Sequence, residues 1–435
     1  VNSIAKYFKF SELKTNYRTE IIAGLTTYIS MVYIMFVNPN VLGASGMDKG
    51  AVFTATGLAS AFGCMLMGIL ANYPIASAPA LGINAFFAYS VSIGMKVPWQ
   101  TALAGVFVAS LIFILITALK LRERIINAIP SDLKYAISAG IGLFIAFLGL
   151  HDGGIIVPNK DTLVGLGSFS VGSTWLTVFG LIITVVLMLR NVPGAIFVGM
   201  VGTTILGLIT GLIHMPSSVV SEIPSIKPTF LTALTHVKDI NTLQLWVVVL
   251  TFLLVTFFDT AGTLVALATQ AGFMQNNKMP RVGRALASDS TAMLFGSLVG
   301  TSPVGAFVES SAGIAVGGRS GFTAVTTGIF FILGLFFSPL LVVVTTQVTA
   351  PALIIVGVLM AQSTRQIAWD KFEIAVPAFL IMIGMPLTYS ISDGIALGFI
   401  MYPIAMIAAK RGKEVHPLMY ALFFVFIGFM AILNK

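Results

Sequence analysis

Apolar runs of roughly 17 to 25 residues, each long enough to cross about 30 Å of hydrocarbon as a helix, recur from end to end of this chain between short polar turns. The pattern predicts spans at Glu20 to Leu42, from Met47-Asp48-Lys49-Gly50 to near Asn72, and at Gln100 to Leu119, Asp132 to Leu150, Ser173 to Leu189 and Pro193 to Ile213. His151 to Gly172 and His214 to Asn241 read as long, polar, external loops. After Asn241 the pattern begins again with Leu243 to Gln270, a basic turn at Lys278 to Arg284 and a span ending at Val299. Further spans follow near Phe322 to Val344, Pro351 to Met360, Phe372 to Tyr389 and Ile391 to Ala409. A last apolar run, Leu418 to Leu433, has the length either to cross or to lie along the surface. Alternating strands of about ten residues, the signature of a membrane barrel, are absent.

Two stretches break the rule. In Tyr73-Pro74-Ile75-Ala76-Ser77-Ala78-Pro79-Ala80-Leu81-Gly82 the prolines forbid a normal helix, and the apolar stretch from Ile83 to Met95 is too short to span. Gly300-Thr301-Ser302-Pro303-Val304-Gly305-Ala306-Phe307-Val308-Glu309-Ser310-Ser311 is likewise too rich in Gly, Ser and Pro for an unbroken helix. Each reads as an extended half joined to a half-helix. Such backbone survives at membrane depth only where protein or a water-filled cavity satisfies its polar groups. The two stretches occupy matching places in the chain. Gly57-Leu58-Ala59-Ser60 aligns with Ala285-Leu286-Ala287-Ser288, and a small gap then sets Ser77-Ala78-Pro79 over Thr301-Ser302-Pro303. Seven elements per half is an odd number, so the second copy enters the membrane from the opposite side. Paired interrupted segments in inverted halves point to a transporter's central site.

Composition agrees with a membrane protein. The chain has 435 residues, 57% hydrophobic and 9% charged, and a mean hydropathy of +0.98. A net charge of +8 can suggest nucleic acid, but its distribution argues for membrane orientation. With the N-terminus in the cytoplasm, only Lys49, Lys96, Lys160, Lys227, Lys238 and Lys435 fall outside, leaving 18 of the 24 basic residues within, as the positive-inside rule expects. The polar, basic stretch Val1 to Arg18 does not read as a cleavable signal peptide; Lys6 to Arg18 reads as a cytoplasmic leader or interfacial helix. Small residues such as Ala59 and Gly63, one turn apart, permit close helix approach. The single cysteine, Cys64, excludes an intramolecular disulfide. His151, His214, His236 and His416 lie in loops at no metal-ligand spacing, and Gly317-Gly318-Arg319-Ser320-Gly321 lacks the ending of a phosphate loop.

Three acids stand in apolar surroundings: Asp259, Asp289 and Glu309. A carboxylate near the bilayer centre costs on the order of 3 kcal/mol on insertion scales, so it usually faces a cavity and marks a substrate or proton path. Glu309 sits about one turn in from Pro303, and Asn84 lies near the equivalent position of the first repeat. Helix starts carry free amides and roughly half a positive charge. A carboxylate accepting parallel N–H bonds, beside an amide that both donates and accepts, suits a flat neutral heterocycle and repels a lone anion. A carboxyl group held away from water is suited to take a proton on one side and release it on the other. Glu309 is the expected direct ligand, Asp259 its proton-linked partner, and Asp289 either a relay member or a cap beside Ser288 and Ser290. Phe307, between Pro303 and Glu309, is placed to stack on a ring; most of the 33 phenylalanines face lipid or core. Thr26, Thr27 and Tyr28 reach either the cavity or their own backbone.

Thr26-Thr27-Tyr28, Ala80-Leu81-Gly82-Ile83-Asn84-Ala85-Phe86-Phe87, Phe257-Phe258-Asp259-Thr260-Ala261-Gly262-Thr263 and Gly300-Thr301-Ser302-Pro303 with Glu309-Ser310 resemble the AzgA-like purine permeases of the nucleobase-ascorbate transporter superfamily, over essentially the whole chain. The resemblance implies an all-α, uracil-permease-type fold of about fourteen segments in two inverted repeats, with core and gate domains and a short antiparallel strand pair at the site. It implies proton-coupled uptake of adenine, guanine or hypoxanthine, with Asn84, Asp259 and Glu309 at binding and transport positions. The extra C-terminal apolar run departs from the pattern.

The expectation is a purine/proton symporter of a bacterial cytoplasmic membrane, working by elevator or rocking motion. It needs no cofactor, metal or nucleic acid, with a homodimer left open. Residues 1–17 form the leader, 18–119 and 243–345 the core, and 120–242 and 346–435 the gate. Substrate contacts fall to Glu309, Asn84, Asp259, Phe307, Thr26 and Tyr28, and proton coupling to Asp259, Glu309 and Asp289. The rivals are a uracil, xanthine or anion carrier of the same fold, a channel, and an enzyme; the last suffers from the lack of a nucleophile-base pair or cofactor motif.

Overall fold

The computed structural model describes residues 2–119, 121, 128–274 and 279–433, and these are mainly helical. Lys120, Arg122, Arg124, Lys278 and Lys435 of the charge distribution lie outside the described residues. Among the described residues eight helices are long and apolar enough to cross a membrane, and shorter apolar helices join them.

The first apolar run is two helices, α1 (Tyr17–Met31) and α2 (Ile34–Gly43), interrupted at Val32 and Tyr33. Asn16 caps α1 by accepting from the Thr19 amide at 3.0 Å. Then come α3 (Lys49–Leu66), extended by a π turn to Ala71, and strand β1 (Ser77–Pro79). Next is α4 (Leu81–Ala85), which runs on as a π-helix to Gly94, and α5 (Trp99–Ala118) follows. The middle of the chain holds α6 (Ser131–Asp152), a hairpin of β2 (Ile156–Asn159) and β3 (Leu163–Leu166), α7 (Gly172–Leu189) and α8 (Ala195–Ile209). The second half holds α9 (Leu243–Gln270), α10 (Val282–Val299), strand β4 (Val304–Ala306), α11 (Ser310–Ala315) and α12 (Gly321–Gly334). It ends with α13 (Thr346–Ala361), α14 (Phe372–Thr388), α15 (Ile391–Ala408) and α16 (Pro417–Leu433).

Two packing groups emerge. In one, α3 lies against α10 and α12, α12 against α1, and α5 against α9 and α10; in the other, α6 lies against α13 and α14, α7 against α8 and α13, and α15 against α14 and α16. Small residues set the spacing of the first group. A Cβ on Gly63 would stand 3.0 Å from the Ser77 Cβ and 3.2 Å from that of Ala292, so the Ala59 and Gly63 stripe receives β1 and α10. At Gly68 and Gly321 the chains of α3 and α12 touch through backbone, leaving no space for a side chain on either.

Three expectations change in detail. The first span is broken, which its apolar periodicity does not announce. The stretch expected as a plain loop from His151 carries the β2–β3 hairpin, paired Ile156 to Leu166 through Asn159 to Leu163. The leader is helical only over Asn2–Tyr7; Phe8 and Phe10 are buried, and with Tyr17 they pack edge-on around Phe322, tying the leader to the start of α12.

That junction also holds a carboxylate. Glu20 is fully buried and accepts from the Ser320 and Thr323 hydroxyls at 2.7 and 2.6 Å, from the Thr15 hydroxyl at 2.7 Å and from the Arg319 amide at 3.0 Å. It serves the free amides that open α12. Glu20→Ala leaves these donors unpaired in a buried place and is expected to cost on the order of 3 kcal/mol. Thermal unfolding of the detergent-solubilised protein measures it, and an unchanged midpoint would refute this role.

Candidate functional site

The two broken elements meet as strands. β1 and β4 pair antiparallel, with Ser77 opposite Ala306, Ala78 opposite Gly305 and Pro79 opposite Val304. The pairing extends at both ends: the Ala80 amide donates to the Pro303 carbonyl at 3.1 Å and the Phe307 amide to the Ala76 carbonyl at 2.9 Å. Each stretch thus satisfies backbone that the other leaves open. At the far ends of the strands the chain turns into α4 and α11, and Gly300, with φ of 100°, makes the left-handed turn out of α10 that lets the second stretch begin.

Beside this strand pair lies a cavity of about 240 Å³, smaller than the roughly 300 to 1,000 Å³ of pockets for drug-sized ligands. Tyr33, Gly82, Asp259, Phe307 and Glu309 line one side, all from the first packing group; Ser138, Met360 and Ser363, from the second, line the other. Asp259 comes from mid-α9. Both acids are partly exposed, and Val308 beside Glu309 is 52% exposed. The Tyr33 hydroxyl, on a fully buried ring, donates to Glu309 Oε1 at 2.5 Å.

Behind the cavity wall Asn38 of α2 uses all of its amide capacity. Its Nδ2 donates to Thr56 and Thr301, both at 2.8 Å, and its Oδ1 accepts from Asn84 Nδ2 at 2.9 Å and the Ser302 hydroxyl at 3.3 Å. One residue therefore grips α3, α4 and the second broken element. All five side chains are buried.

Of the residues singled out from sequence, the structure brings Asp259, Glu309 and Phe307 to one cavity. Asn84 is fully buried, is not among the lining residues, and gives its amide group to Asn38; its Oδ1 has no hydrogen-bond partner within the chain. Asp289 is also fully buried away from the cavity, where its Oδ2 accepts from the Thr260 hydroxyl at 2.7 Å, one residue along α9 from Asp259. Thr26 returns its hydroxyl to the Ile22 carbonyl at 2.8 Å. Tyr28 packs on Phe330 and Phe331 and faces a separate apolar groove shared with Phe197 and Gly334. The break at Val32 and Tyr33 changes the phase of the run, so the face bearing Thr26 and Tyr28 is not the face that meets the cavity. Tyr33 and Asn38 were not singled out. An asparagine followed by a proline in mid-span is itself a polar signal of the kind that exposes such a hub; Tyr33 has no comparable mark. Cys64 sits at the strand pair, where its sulfur accepts from the Ser77 amide at 3.3 Å.

Comparison with known proteins was made on this footing. The sequence profile of the permease family matches residues 18–397. The guanine/hypoxanthine permease PbuG of Bacillus subtilis is 56% identical over 437 residues, covering 98% of this chain and 99% of that protein. The adenine permease AdeP of Escherichia coli is 42% identical over 427 residues, covering 98% of this chain and 95% of that one. Among solved structures, the transmembrane domain of the cyanobacterial bicarbonate transporter BicA aligns with a TM-score of 0.62 at 15% identity, over 91% of this chain and 97% of that chain. This last likeness concerns the fold alone.

Replacing Asn38 by Ala strands five polar groups in a buried network at once. It is expected to lower stability by about 3 kcal/mol or more, read as a fall in the unfolding midpoint, whereas an Asn38→Ala protein as stable as wild type would show that the network carries no weight.

Proposed function

The chain belongs to the permease family, and on that premise we propose that it is a secondary active transporter importing the purine bases adenine, guanine or hypoxanthine together with protons, by alternating access. One observation carries the reading: Asp259 and Glu309 share a small cavity at the meeting of two broken elements, in a chain similar over its whole length to a guanine/hypoxanthine permease. Glu309 is the proposed direct ligand, accepting hydrogen bonds from a ring edge. Phe307 lies at the ring face, and Asp259 is the proton-linked partner. The titration belongs to the pair of acids rather than to either alone. Asp289 acts through Thr260 on the helix that bears Asp259. Asn84 takes part through Asn38, holding the start of α4. Two carboxylates in one cavity disfavour an inorganic anion as cargo, whatever other proteins of this fold carry.

The two packing groups correspond, in this reading, to a core of residues 18–119 and 243–345 and a gate of residues 120–242 and 346–435, built as two inverted repeats of seven segments. The cavity lies between them. It is bounded near the N-terminal end of α6 by Ser138 and at the C-terminal end of α13 by Met360 and Ser363. α6 has 22 residues, about 33 Å of helix, and at its other end the groups are bonded together. There the Tyr89 hydroxyl donates to Asp152 Oδ2 at 3.0 Å, and the Ser90 hydroxyl donates to the Tyr389 carbonyl at 2.6 Å. With the N-terminus in the cytoplasm of a bacterial cell, the basic residues near the cavity mouth, such as Lys134 and Arg365, are internal. The conformation is then inward-facing, latched outside by Tyr89 and Asp152.

Uptake of radiolabelled guanine and adenine into proteoliposomes, with and without an inward proton gradient, tests the assignment. Wild type is expected to accumulate purine only with the gradient, and Glu309→Gln to lose that accumulation by roughly a hundredfold or more, as for a lost charged hydrogen bond. Uracil or sulfate moving in place of purine would sink the substrate class. The latch has its own test. In a Cys64→Ser background, Thr349→Cys lines the outer space beside Asp152, and adding Tyr89→Phe is expected to raise its labelling by an external thiol reagent about fivefold, the worth of one hydrogen bond. Equal labelling with and without the tyrosine would remove the latch.

A further inference from the structure

We propose that Tyr33 is a specificity-determining positioning residue: by donating its hydroxyl to Glu309 it makes that carboxyl group an acceptor toward the ligand, and so favours 6-oxopurines over 6-aminopurines. The inference rests on the reading of the cavity as a purine site and goes beyond it by assigning a residue and a direction of selectivity.

A phenol has one proton to give. Tyr33 gives it to Glu309 Oε1 at 2.5 Å, a distance typical of a hydroxyl bonded to a charged oxygen. The oxygen so served is an acceptor, and the second oxygen, Oε2, is left for the cavity as a further acceptor. The three titratable groups along the cavity are Tyr33, Asp259 and Glu309; the polar groups facing them from α6 and the segment after α13 are the uncharged Ser138 and Ser363. No cationic side chain lines the cavity to take over the role of Tyr33.

The tyrosine is also held rigidly. It stands where α1 breaks into α2, and its carbonyl accepts from the Phe36 and Val37 amides, both at 3.0 Å. A little further along α2, Asn38 bonds Thr301 and Ser302 of the same broken element that carries Glu309. Donor and acceptor are thus mounted on one cross-braced unit, as a group that must orient another requires.

The ligands differ at one ring position. A 6-oxopurine such as hypoxanthine carries an N–H at N1, a donor that meets an acceptor. A 6-aminopurine such as adenine has a bare N1, an acceptor facing an acceptor, which a site built to receive an N–H rejects. Without the Tyr33 donor, Glu309 is freer to turn or to hold a proton outward, and the distinction narrows.

Equilibrium binding of hypoxanthine, adenine and 6-methoxypurine to the purified full-length protein decides the matter. Wild type is expected to bind hypoxanthine more tightly than either base lacking the N1 proton, by about tenfold or more. Tyr33→Phe, which keeps the ring, is expected to shrink the hypoxanthine-to-adenine ratio by a similar factor; a purely structural role would weaken both bases alike and leave the ratio. An unchanged ratio in Tyr33→Phe overturns the proposal. So does a wild type that binds adenine or 6-methoxypurine as tightly as hypoxanthine, a result that needs no folded variant. A wild-type protein that binds none of the three would instead remove the purine reading on which the proposal stands.

Discussion

Extended backbone in the middle of a membrane has no water to bond with, and this chain contains two such stretches. Each is the other's solvent. The register of Ser77 with Ala306 and Pro79 with Val304 leaves three residues of each strand paired, and the bonds from Ala80 to Pro303 and from Phe307 to Ala76 close the ends. Prolines at 74, 79 and 303 end helical propagation where pairing must begin. Everything at the cavity follows from this pairing, because it sets the start of α4 and the residues up to Glu309 against each other at one depth. Loss of either strand would expose the amides of both, so neither break is adjustable on its own.

An apolar chain has few ways to fix one helix against another with precision, since lipid competes on equal terms for apolar contact. Here the fixing falls to a handful of polar side chains. Glu20 holds the opening of α12, Asn38 holds both broken elements to α2 and α3, and Tyr33 holds Glu309. Each bonds residues distant in sequence, and each is fully buried. Between these pins the helices touch through small residues, as α3 and α12 do at Gly68 and Gly321. The first packing group is therefore braced by bonds that are costly to break. The contacts between Tyr89 and Asp152 and between Ser90 and Tyr389 bind one group to the other only near the outer ends of their helices. Braced groups with a few bonds between them are what a rigid-body motion needs.

Most of the helical architecture was legible because span length and hydropathy are set by the bilayer, and the broken elements were legible because proline and glycine have backbone consequences wherever they occur. Asp259, Glu309 and Phe307 were found at one cavity for a related reason: an acid in an apolar run needs a cavity or a partner. What sequence left out was phase and partnership. Thr26 and Tyr28 were placed by continuing a helix that in fact breaks at Val32 and Tyr33, and the break rests on tertiary bonds to Glu309 that no local pattern encodes. Asn84 was read as a ligand from its place in a repeat, yet a side chain that both donates and accepts serves equally well as a brace, and its neighbour Asn38 takes it. The β2–β3 hairpin forms from Ile156 to Leu166, a stretch whose polar flanks conceal its alternation.

The same logic explains why the acids stand where they do. Glu309 and Asp259 come from different elements, β4 with its following turn and α9, yet both belong to the braced group, while the opposite wall offers Ser138, Met360 and Ser363. A ligand and a proton held by two acids of one rigid group travel with it. The wall they leave behind has no charge to hold them back. Had one acid belonged to each group, the separation of the groups would pull a carboxylate away from its shared proton in a medium of low dielectric constant, at a cost of several kcal/mol. Placing both acids, and the tyrosine that serves one of them, on the same side of the dividing surface keeps the chemistry intact while access changes from one face of the membrane to the other.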